Sequence, residues 1–376
     1  MIQFSGMYTI LVPLPYVAVA FLISVLVTPL AKKVGLSVNA YAIENKRTVH
    51  HGKIVRIGGV AMYVAFVLTM AIFVHPDSTF DAIIVGACIV FMGGLIDDLL
   101  DLKPIVKLMF QIVAAVYVTY FGGIQMNEIN LPFITVNVEP IYFIISIIWI
   151  VGVTNAINLI DGLDGLSCGI SIIVLCVIGF IAYQMRRIDA SVVALVLIGS
   201  IGGVLPYNFH PASIFVGDCG ALFMGYMIAC LSLLGFKSSA FISLIFPLII
   251  LFVPLSDTCL AIIRRKLKGQ KISEADRSHL HHVLMYKIGL SHRNTVLLLY
   301  FVTFLFGMDA IIMYFHQEVG IIILFILCLC AWIFIELTGM INPSFHPLIG
   351  LCRRITGHPK KSDGAFFEAN KIHHDN

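Results

Sequence analysis

The stretch "NAINLIDGLDGLSCGI", residues 155–170, places two asparagines, two aspartates and three glycines between two long apolar runs. These runs are "IYFIISIIWIVGVT" (141–154) and "ISIIVLCVIGFIAY" (170–183), and neither alternates polar with apolar residues as a half-buried strand would. Carboxylates at the edge of so much hydrocarbon are costly, and they are rarely placed there without a function. The pattern predicts two membrane-spanning helices joined by a polar segment that carries chemistry.

The composition of the whole chain extends this prediction. Of the 376 residues, 59% are hydrophobic and only 12% are charged, which is too little charge to cover a soluble protein of this length. Helices are the expected spanning elements, because lipid offers the backbone no other hydrogen-bond partners. We predict an all-α, polytopic integral membrane protein of about eleven transmembrane helices, with one multi-span domain at 1–351 and a polar C-terminal tail at 352–376. The apolar segments are 8–31, 58–75, 82–96, 104–121, 141–160, 165–183, 191–207, 220–236, 240–263, 295–315 and 320–340.

The basic residues predict an orientation in the membrane. Of the 24 Lys and Arg residues, all but three fall on one side of this span arrangement. The exceptions are Arg186, Arg187 and Lys237. The positive-inside rule makes the rich side cytoplasmic, so we expect the N-terminus outside and the C-terminus inside the cell. The formal net charge is only +3, and no nucleic-acid partner is expected.

Four polar clusters follow odd-numbered spans and therefore share the predicted cytoplasmic face. They are "DDLLD" (97–101), "NAINLIDGLDG" (155–165), "NFHPASIFVGD" (208–218) and "DRSHLHH" (276–282). We expect them to form one active-site cleft, assembled from several loops at the cytoplasmic membrane surface.

The carboxylates of the first two clusters suit a hard cation. Asp97 and Asp101 are four residues apart and would share a helical face. Adjacent carboxylates repel unless a cation or a proton relieves them, and Mg²⁺ binds carboxylates together with substrate phosphates. An acidic helix cap and a polar helix–helix seam are the alternatives for these clusters. A polar stripe on one helical face is expected from the spacing of Asn155, Asn158, Asp161 and Asp164.

The other two clusters complete a phosphate site. Asp218 follows a glycine on a turn that opens a helix, where its alternative role is an N-cap. Arg277 lies beside "HLHH" (279–282) in a basic loop, which favours an anion clamp over a solvated loop or a zinc site without cysteine. Together the clusters predict phosphoryl transfer between a soluble phosphate compound and a lipid.

Five motifs in order give the chain a family resemblance. It resembles the polyprenyl-phosphate N-acetylhexosamine-1-phosphate transferases, and most of all the bacterial undecaprenyl-phosphate N-acetylglucosaminyl 1-phosphate transferase branch. The pattern Arg-x-His-Leu-His-His favours this branch over the peptidoglycan translocases, which carry three consecutive histidines. The motifs are "RTVHHGKIVRIGG" (47–59), "GGLIDDLLDLKPIVK" (93–107), "NAINLIDGLDGL" (155–166), "NFHPASIFVGDCGALFMG" (208–225) and "PLSDTCLAIIRRKLKGQKISEADRSHLHH" (254–282).

The resemblance implies a reaction and its partners. The expected donor is UDP-GlcNAc, the acceptor is undecaprenyl phosphate, and UMP is released as cell-envelope polysaccharide synthesis begins. Another UDP-HexNAc and the peptidoglycan precursor remain alternative donors. The expected cofactor is Mg²⁺, with Mn²⁺ as the alternative ion. The location would be the bacterial cytoplasmic (inner) membrane, and a homodimer is left open.

The resemblance also implies roles for individual residues. Asp218 would bind the metal with Asn158 as second ligand, Asp97 would act as base toward the lipid phosphate, and Asp98 would lie near the metal. Asp161 and Asp164 would face the nucleotide side of the cleft, in the catalytic group. The expected substrate-binding residues are Lys107, Asn155, Arg277, His279, His281 and His282.

Three rival classes fit the sequence less well. A lipid prenyltransferase would need a second aspartate-rich motif, and a CDP-alcohol phosphotransferase would need an alanine–arginine pair that "DGLDGLSCG" lacks. An ion-coupled transporter would place its polar groups near the middle of the membrane rather than at one face.

Overall fold

A computed structural model gives the arrangement of most of the chain. It describes residues 14–42, 54–73, 78–126, 129–131, 134–136, 139–235, 240–270, 279–341 and 347–348. The helices are α1 (Leu14–Ser37), α2 (Gly59–Phe73), α3 (Ser78–Leu100), α4 (Pro104–Phe121), α5 (Glu139–Ile160), α6 (Leu166–Gln184), α7 (Ile188–Asn208), α8 (Gly217–Gly235), α9 (Ala240–Ile250), α10 (Phe252–Leu267), α11 (Leu280–His282), α12 (His292–Phe315) and α13 (Gln317–Thr338). A π-helical turn, Val283–Lys287, follows α11. Two antiparallel ribbons pair β1 (Tyr41–Ala42) with β2 (Ile54–Val55) and β3 (Ile129–Leu131) with β4 (Ile134–Val136).

The prediction of an all-α, polytopic membrane protein is confirmed. Within the described ranges, nine helices are long and apolar enough to cross a bilayer. Helix α2 occupies a further predicted span with only 15 residues. The predicted span 240–263 is instead two helices that meet at Leu251. Pro254 explains the break, because it has no N–H to donate to the carbonyl four residues earlier and its ring would clash there.

Helix α8 lies at the centre of the bundle. In the apolar 18-residue stretch of α8 that could cross a membrane, 94% of the residues are buried inside the bundle, whereas 6% are buried in the corresponding stretch of α13 at the periphery. Helices α2, α3, α5 and α6 all pack against α8, whereas α1 packs on α7 and α2. The first residues of α8 therefore lie in the middle of one end of the bundle, where any ligand would be surrounded by protein.

A short backbone connection fixes the entry to α8. Val55 bridges Ile214 in parallel, and Gly58 N–H donates to Phe215 C=O over 2.8 Å. Gly217 adopts φ +73°, and a Cβ there would lie 1.6 Å from the Arg56 carbonyl oxygen. Glycine is required at this position for both reasons. The close approach brings Arg56 to the N-terminal end of α8.

Candidate active site

The described parts of the four predicted polar clusters meet at one end of the bundle. Asp98 on α3 accepts hydrogen bonds from the first turn of α8, 120 and 121 residues further along the chain. The buried Asn208 side chain accepts from Gly165 N–H at 3.0 Å and donates to the Ile214 carbonyl at 3.1 Å. These contacts join segments that the sequence keeps apart, so the expected cleft is assembled by tertiary packing.

A lysine lies between two of the carboxylates. Lys107 Nζ donates to Asp218 Oδ2 at 2.7 Å and to Asp97 Oδ2 at 3.2 Å. The second oxygen of Asp97 accepts from Leu102 N–H at 2.8 Å. The Asp97 side chain is 5% exposed and that of Asp218 is 18% exposed, so Asp218 is the more accessible of the two. The carboxylates thus form a pocket of negative charge that already holds one cation.

Asp98, the residue after Asp97, caps α8. Its two oxygens accept from Asp218 N–H and Cys219 N–H, each at 2.9 Å, and its side chain is fully buried. A carboxylate at a helix N-terminus satisfies orphan donors and complements the helix dipole. Adjacent aspartates therefore have different local partners: Asp97 contacts the cleft lysine, and Asp98 holds the backbone that carries Asp218.

Two asparagines of α5 occupy different levels of the cleft. Asn158 Nδ2 donates to Asp218 Oδ1 at 2.7 Å. Asn155, one turn earlier, exchanges two amide hydrogen bonds with Gln111, at 2.5 and 3.4 Å. Because Gln111 is one helical turn after Lys107 on α4, this amide pair fixes the two helices that carry Lys107 and Asn158.

The predicted polar stripe does not continue along a helix, because α5 ends at Ile160. Asp161 lies in the following turn and accepts from Ser167 Oγ at 2.5 Å. Burial raises the pKa of Asp161 to about 7, with further raising by the nearby charges of Asp218 and Asp164, while the Ser167 hydrogen bond opposes the shift. Asp161 is therefore a carboxyl group that can hold or release a proton near neutral pH.

Asp164 is held by a neighbouring loop and by α12. Its Oδ2 contacts His210 Nδ1 at 2.8 Å and accepts from Ala212 N–H at 3.1 Å. Its own N–H donates to His292 Nε2 at 3.3 Å, and the rings of His210 and His292 stack with centroids 4.1 Å apart. Asp164, His210 and His292 are the one group of three potential metal donors found among the described residues. Asp164 and His210 bond each other and His292 Nε2 accepts from the Asp164 backbone, whereas His292 Nδ1 is buried with no hydrogen-bonding partner among the described residues.

The histidine motif packs against the aspartate-rich turn. A Cβ on Gly162 would lie 2.5 Å from His281 Nε2, so glycine permits the imidazole to approach. The pKa of His281 is lowered to about 3, chiefly by burial and further by the neighbouring His282. The rings of His281 and His282 lie 4.3 Å apart. His281 is therefore a neutral side chain wedged at the edge of the cleft.

His279 belongs to a separate buried pair. Its Nδ1 contacts Asp257 Oδ2 at 2.9 Å, and Asp257 Oδ1 accepts from Leu280 N–H at 2.8 Å. Arg277 lies outside the described residues, as do positions 47–53 of the first motif and the tail 352–376.

One predicted pairing is wrong. Asp101 is four residues after Asp97, but it lies beyond the end of α3 with φ +48°, and its side chain is 88% exposed. It contacts Arg56 Nη1 at 3.3 Å rather than lying beside Asp97. Arg56 also approaches Asp98 at 3.7 Å. Burial acts to lower the pKa of Arg56, but the charges of Asp98, Asp218 and Asp101 outweigh burial, so the pKa is raised.

Several polar residues of the site were not predicted from the sequence. Arg56 and Asp257 stand within quoted motifs, and Gln111 follows Lys107 by one turn, so local signals were present for these three. Ser167 directly follows the aspartate-rich motif 155–166, whereas His292 carried no such signal. Their importance depends on which loops meet.

The chain also resembles known proteins over most of its length. The glycosyl transferase family 4 profile matches residues 80–236. A probable undecaprenyl-phosphate N-acetylglucosaminyl 1-phosphate transferase of Bacillus subtilis is 40% identical over 348 residues, covering 90% of this chain and 97% of that protein. The chain belongs to this transferase family.

More distant relatives share the same type of name. A decaprenyl-phosphate N-acetylglucosaminephosphotransferase of Mycobacterium leprae is 31% identical, covering 77% of this chain and 81% of that protein. An undecaprenyl-phosphate alpha-N-acetylglucosaminyl 1-phosphate transferase of Haemophilus influenzae is 32% identical, covering 76% and 81% respectively. The resemblance inferred from the five motifs is thereby confirmed, and the protein is a multi-pass polyprenyl-phosphate sugar phosphotransferase.

Proposed function

We propose that this protein transfers N-acetylglucosamine 1-phosphate from UDP-GlcNAc to undecaprenyl phosphate. The products are undecaprenyl-diphospho-GlcNAc and UMP, and the reaction begins the synthesis of a cell-envelope polysaccharide such as O-antigen, common antigen or teichoic acid. The names of all three relatives support the sugar, and the names of the Bacillus and Haemophilus proteins support undecaprenyl phosphate, whereas the Mycobacterium protein is named for decaprenyl phosphate. The observation that carries the proposal is Lys107 held between Asp97 and Asp218 at one end of a membrane bundle, where a lipid phosphate would meet a soluble nucleotide.

The donor groups of this pocket fit a magnesium ion. They are carboxylate and amide oxygens, the ligands that hard divalent cations prefer, and the two carboxylates already hold the ammonium group of Lys107. Asp218 would bind the ion with Asn158 as second ligand, and Mn²⁺ is the alternative ion. When bound, the ion would neutralise charge on the diphosphate of the donor.

The protein side chains have separate tasks in the proposed reaction. A lipid phosphate oxygen forms a bond to the sugar-linked phosphorus of the donor, and the bond from that phosphorus to the bridging oxygen breaks, so UMP leaves with that oxygen. Asp97 accepts a remaining proton from the lipid phosphate, and Lys107 contacts the diphosphate. Asp98 fixes Asp218 through the first turn of α8. Positioning and charge neutralisation are the main requirements for such a transfer.

The nucleotide side of the cleft is proposed to lie along the turn that follows α5. Asp161 and Asp164 would face the nucleotide, while Arg277 and the histidines 279, 281 and 282 would contact the sugar and the diphosphate. In this arrangement the cleft opens to the cytoplasm from the inner membrane, with the N-terminus outside and the C-terminus inside. A homodimer is compatible with the proposal and is not required for it.

A donor panel tests this function. Purified protein is incubated with undecaprenyl phosphate, Mg²⁺ and one of four donors: UDP-GlcNAc, UDP-GalNAc, UDP-glucose or UDP-MurNAc-pentapeptide. We expect UMP release to be fastest with UDP-GlcNAc. Faster release with the pentapeptide donor would overturn the choice of sugar but not the chemistry. No release from a folded protein with any donor would overturn the transferase proposal itself.

A further inference from the structure

Asp257 is a buried carboxylate to which neither the sequence nor the proposed reaction gives a task. It lies on α10 with 1% of its side chain exposed. Both oxygens are used within one turn of the chain, since Oδ2 contacts His279 Nδ1 at 2.9 Å and Oδ1 accepts from Leu280 N–H at 2.8 Å. A carboxylate that bonds both a backbone amide and a histidine ring fixes the ring in place as well as the chain.

The contact with Asp257 also decides which ring nitrogen of His279 carries a proton. A carboxylate can only accept, so the contact with Asp257 Oδ2 places a proton on Nδ1 of His279, and in the singly protonated ring the lone pair then lies on Nε2. The ring of His279 lies parallel to that of His281, with centroids 5.9 Å apart and an angle of 7°. His281 in turn packs on Gly162. Asp257 therefore stands at the start of a packed series that reaches the aspartate-rich turn.

We propose that Asp257 is a positioning residue that holds His279 with Nε2 free to accept a hydrogen bond from a hydroxyl or amide group of the donor sugar. The inference rests on the proposed function for the identity of the donor, but the tautomer of His279 does not depend on it. Asp257 touches no reacting atom in this scheme. It acts on the reaction through His279 alone.

Asp257→Asn is the informative substitution, because it keeps the shape and changes the hydrogen bonding. The single amide oxygen would accept from Leu280 N–H, and the amide NH₂ would then face His279 Nδ1. This arrangement places the ring proton on Nε2 and turns an acceptor into a donor. A tautomer change at a catalytic histidine can cost up to about 10⁴-fold in rate in other enzymes. For a binding contact to the sugar we expect a smaller loss, on the order of 10-fold or more in kcat/KM for UDP-GlcNAc, with the KM for undecaprenyl phosphate unchanged.

Two measurements test the proposal. In protein labelled with ¹⁵N-histidine, His279 should show a protonated Nδ1 in the wild type and a protonated Nε2 in Asp257→Asn. A wild-type ring protonated at Nε2 would overturn the proposal, whatever reaction the protein catalyses.

The second measurement is a double-mutant comparison of UMP release. His279→Ala and the Asp257→Asn/His279→Ala double variant should have equal kcat/KM, because Asp257 would have nothing left to position. A further loss in the double variant, or a melting temperature that falls in step with activity, would assign Asp257 a structural role instead. Asp189→Asn is the matched control, since Asp189 is also a paired aspartate but bonds Arg187 at the start of α7. The kcat/KM of Asp189→Asn should equal that of the wild type. If the wild type itself does not use UDP-GlcNAc, the proposed function is refuted, but the tautomer of His279 can still be measured.

Discussion

The packing of His281 on Gly162 makes a testable prediction about a single methyl group. A Cβ at position 162 would lie 2.5 Å from His281 Nε2 and 2.7 Å from Cε1. Ordinary carbon contacts begin near 3.5 Å, so the ring or the turn must move by about 1 Å. Overpacking of this kind costs about 1–3 kcal/mol of stability, and a displacement of that size in a catalytic cleft can reduce a rate about 100-fold. The φ of Gly162 is not in the left-handed region, so the backbone itself tolerates alanine.

The assay compares Gly162→Ala with Gly152→Ala, which changes another glycine ten residues earlier. A Cβ at position 152 meets nothing within 4 Å, and alanine is a better helix former than glycine by about 1 kcal/mol. We expect Gly162→Ala to melt at a lower temperature and to lose one to two orders of magnitude in UMP release, while Gly152→Ala keeps both. Adding His281→Ala to Gly162→Ala should recover the melting temperature, because the obstructing ring is gone. Wild-type stability and wild-type turnover in Gly162→Ala would refute the packing argument.

Three further predictions concern buried carboxyl groups. Asp98→Ala should remove the acceptor of two buried N–H groups at the start of α8, which should cost about 1–3 kcal/mol of stability for each group. Asp98→Asn keeps one acceptor oxygen and should cost about half as much stability. Equal melting temperatures for the two variants would contradict the capping role. The pKa of Asp161 is raised to about 7 in the folded protein, so the fold favours the protonated carboxyl group. The stability that the protonated group contributes should be complete below pH 4 and be lost as the pH rises to 7. If the melting temperature of Asp161→Asn depends on pH over that range as the wild type does, this prediction is wrong. Asp309 is 1% exposed within α12, and neither of its carboxyl oxygens has a partner among the described residues. Asp309→Leu should therefore leave the melting temperature unchanged or raise it. A large fall in the melting temperature would reveal a partner for the carboxyl group.

The sequence alone determined the class of the fold and the composition of the site. Long apolar runs must become helices in a membrane because no other open structure satisfies their backbone groups. The glycine before Asp218 predicted the turn that opens α8, and that turn has φ +73° at Gly217. The Asp, Asn and His residues at the ends of the apolar runs predicted a phosphate-handling site, and the family relationship agrees with it.

Tertiary structure alone decided what each of these residues touches. Asp97 and Asp98 are indistinguishable in sequence, yet one meets Lys107 and the other caps a helix that begins 119 residues later, at Gly217. Helical spacing wrongly paired Asp97 with Asp101, because α3 ends at Leu100 and the chain turns away. The Asp257–His279 pair and the His281–Gly162 contact link residues from different loops. Local spacing fixes the face of one helix, but partners across a bundle depend on how all the helices pack, and that information is not contained in any short stretch.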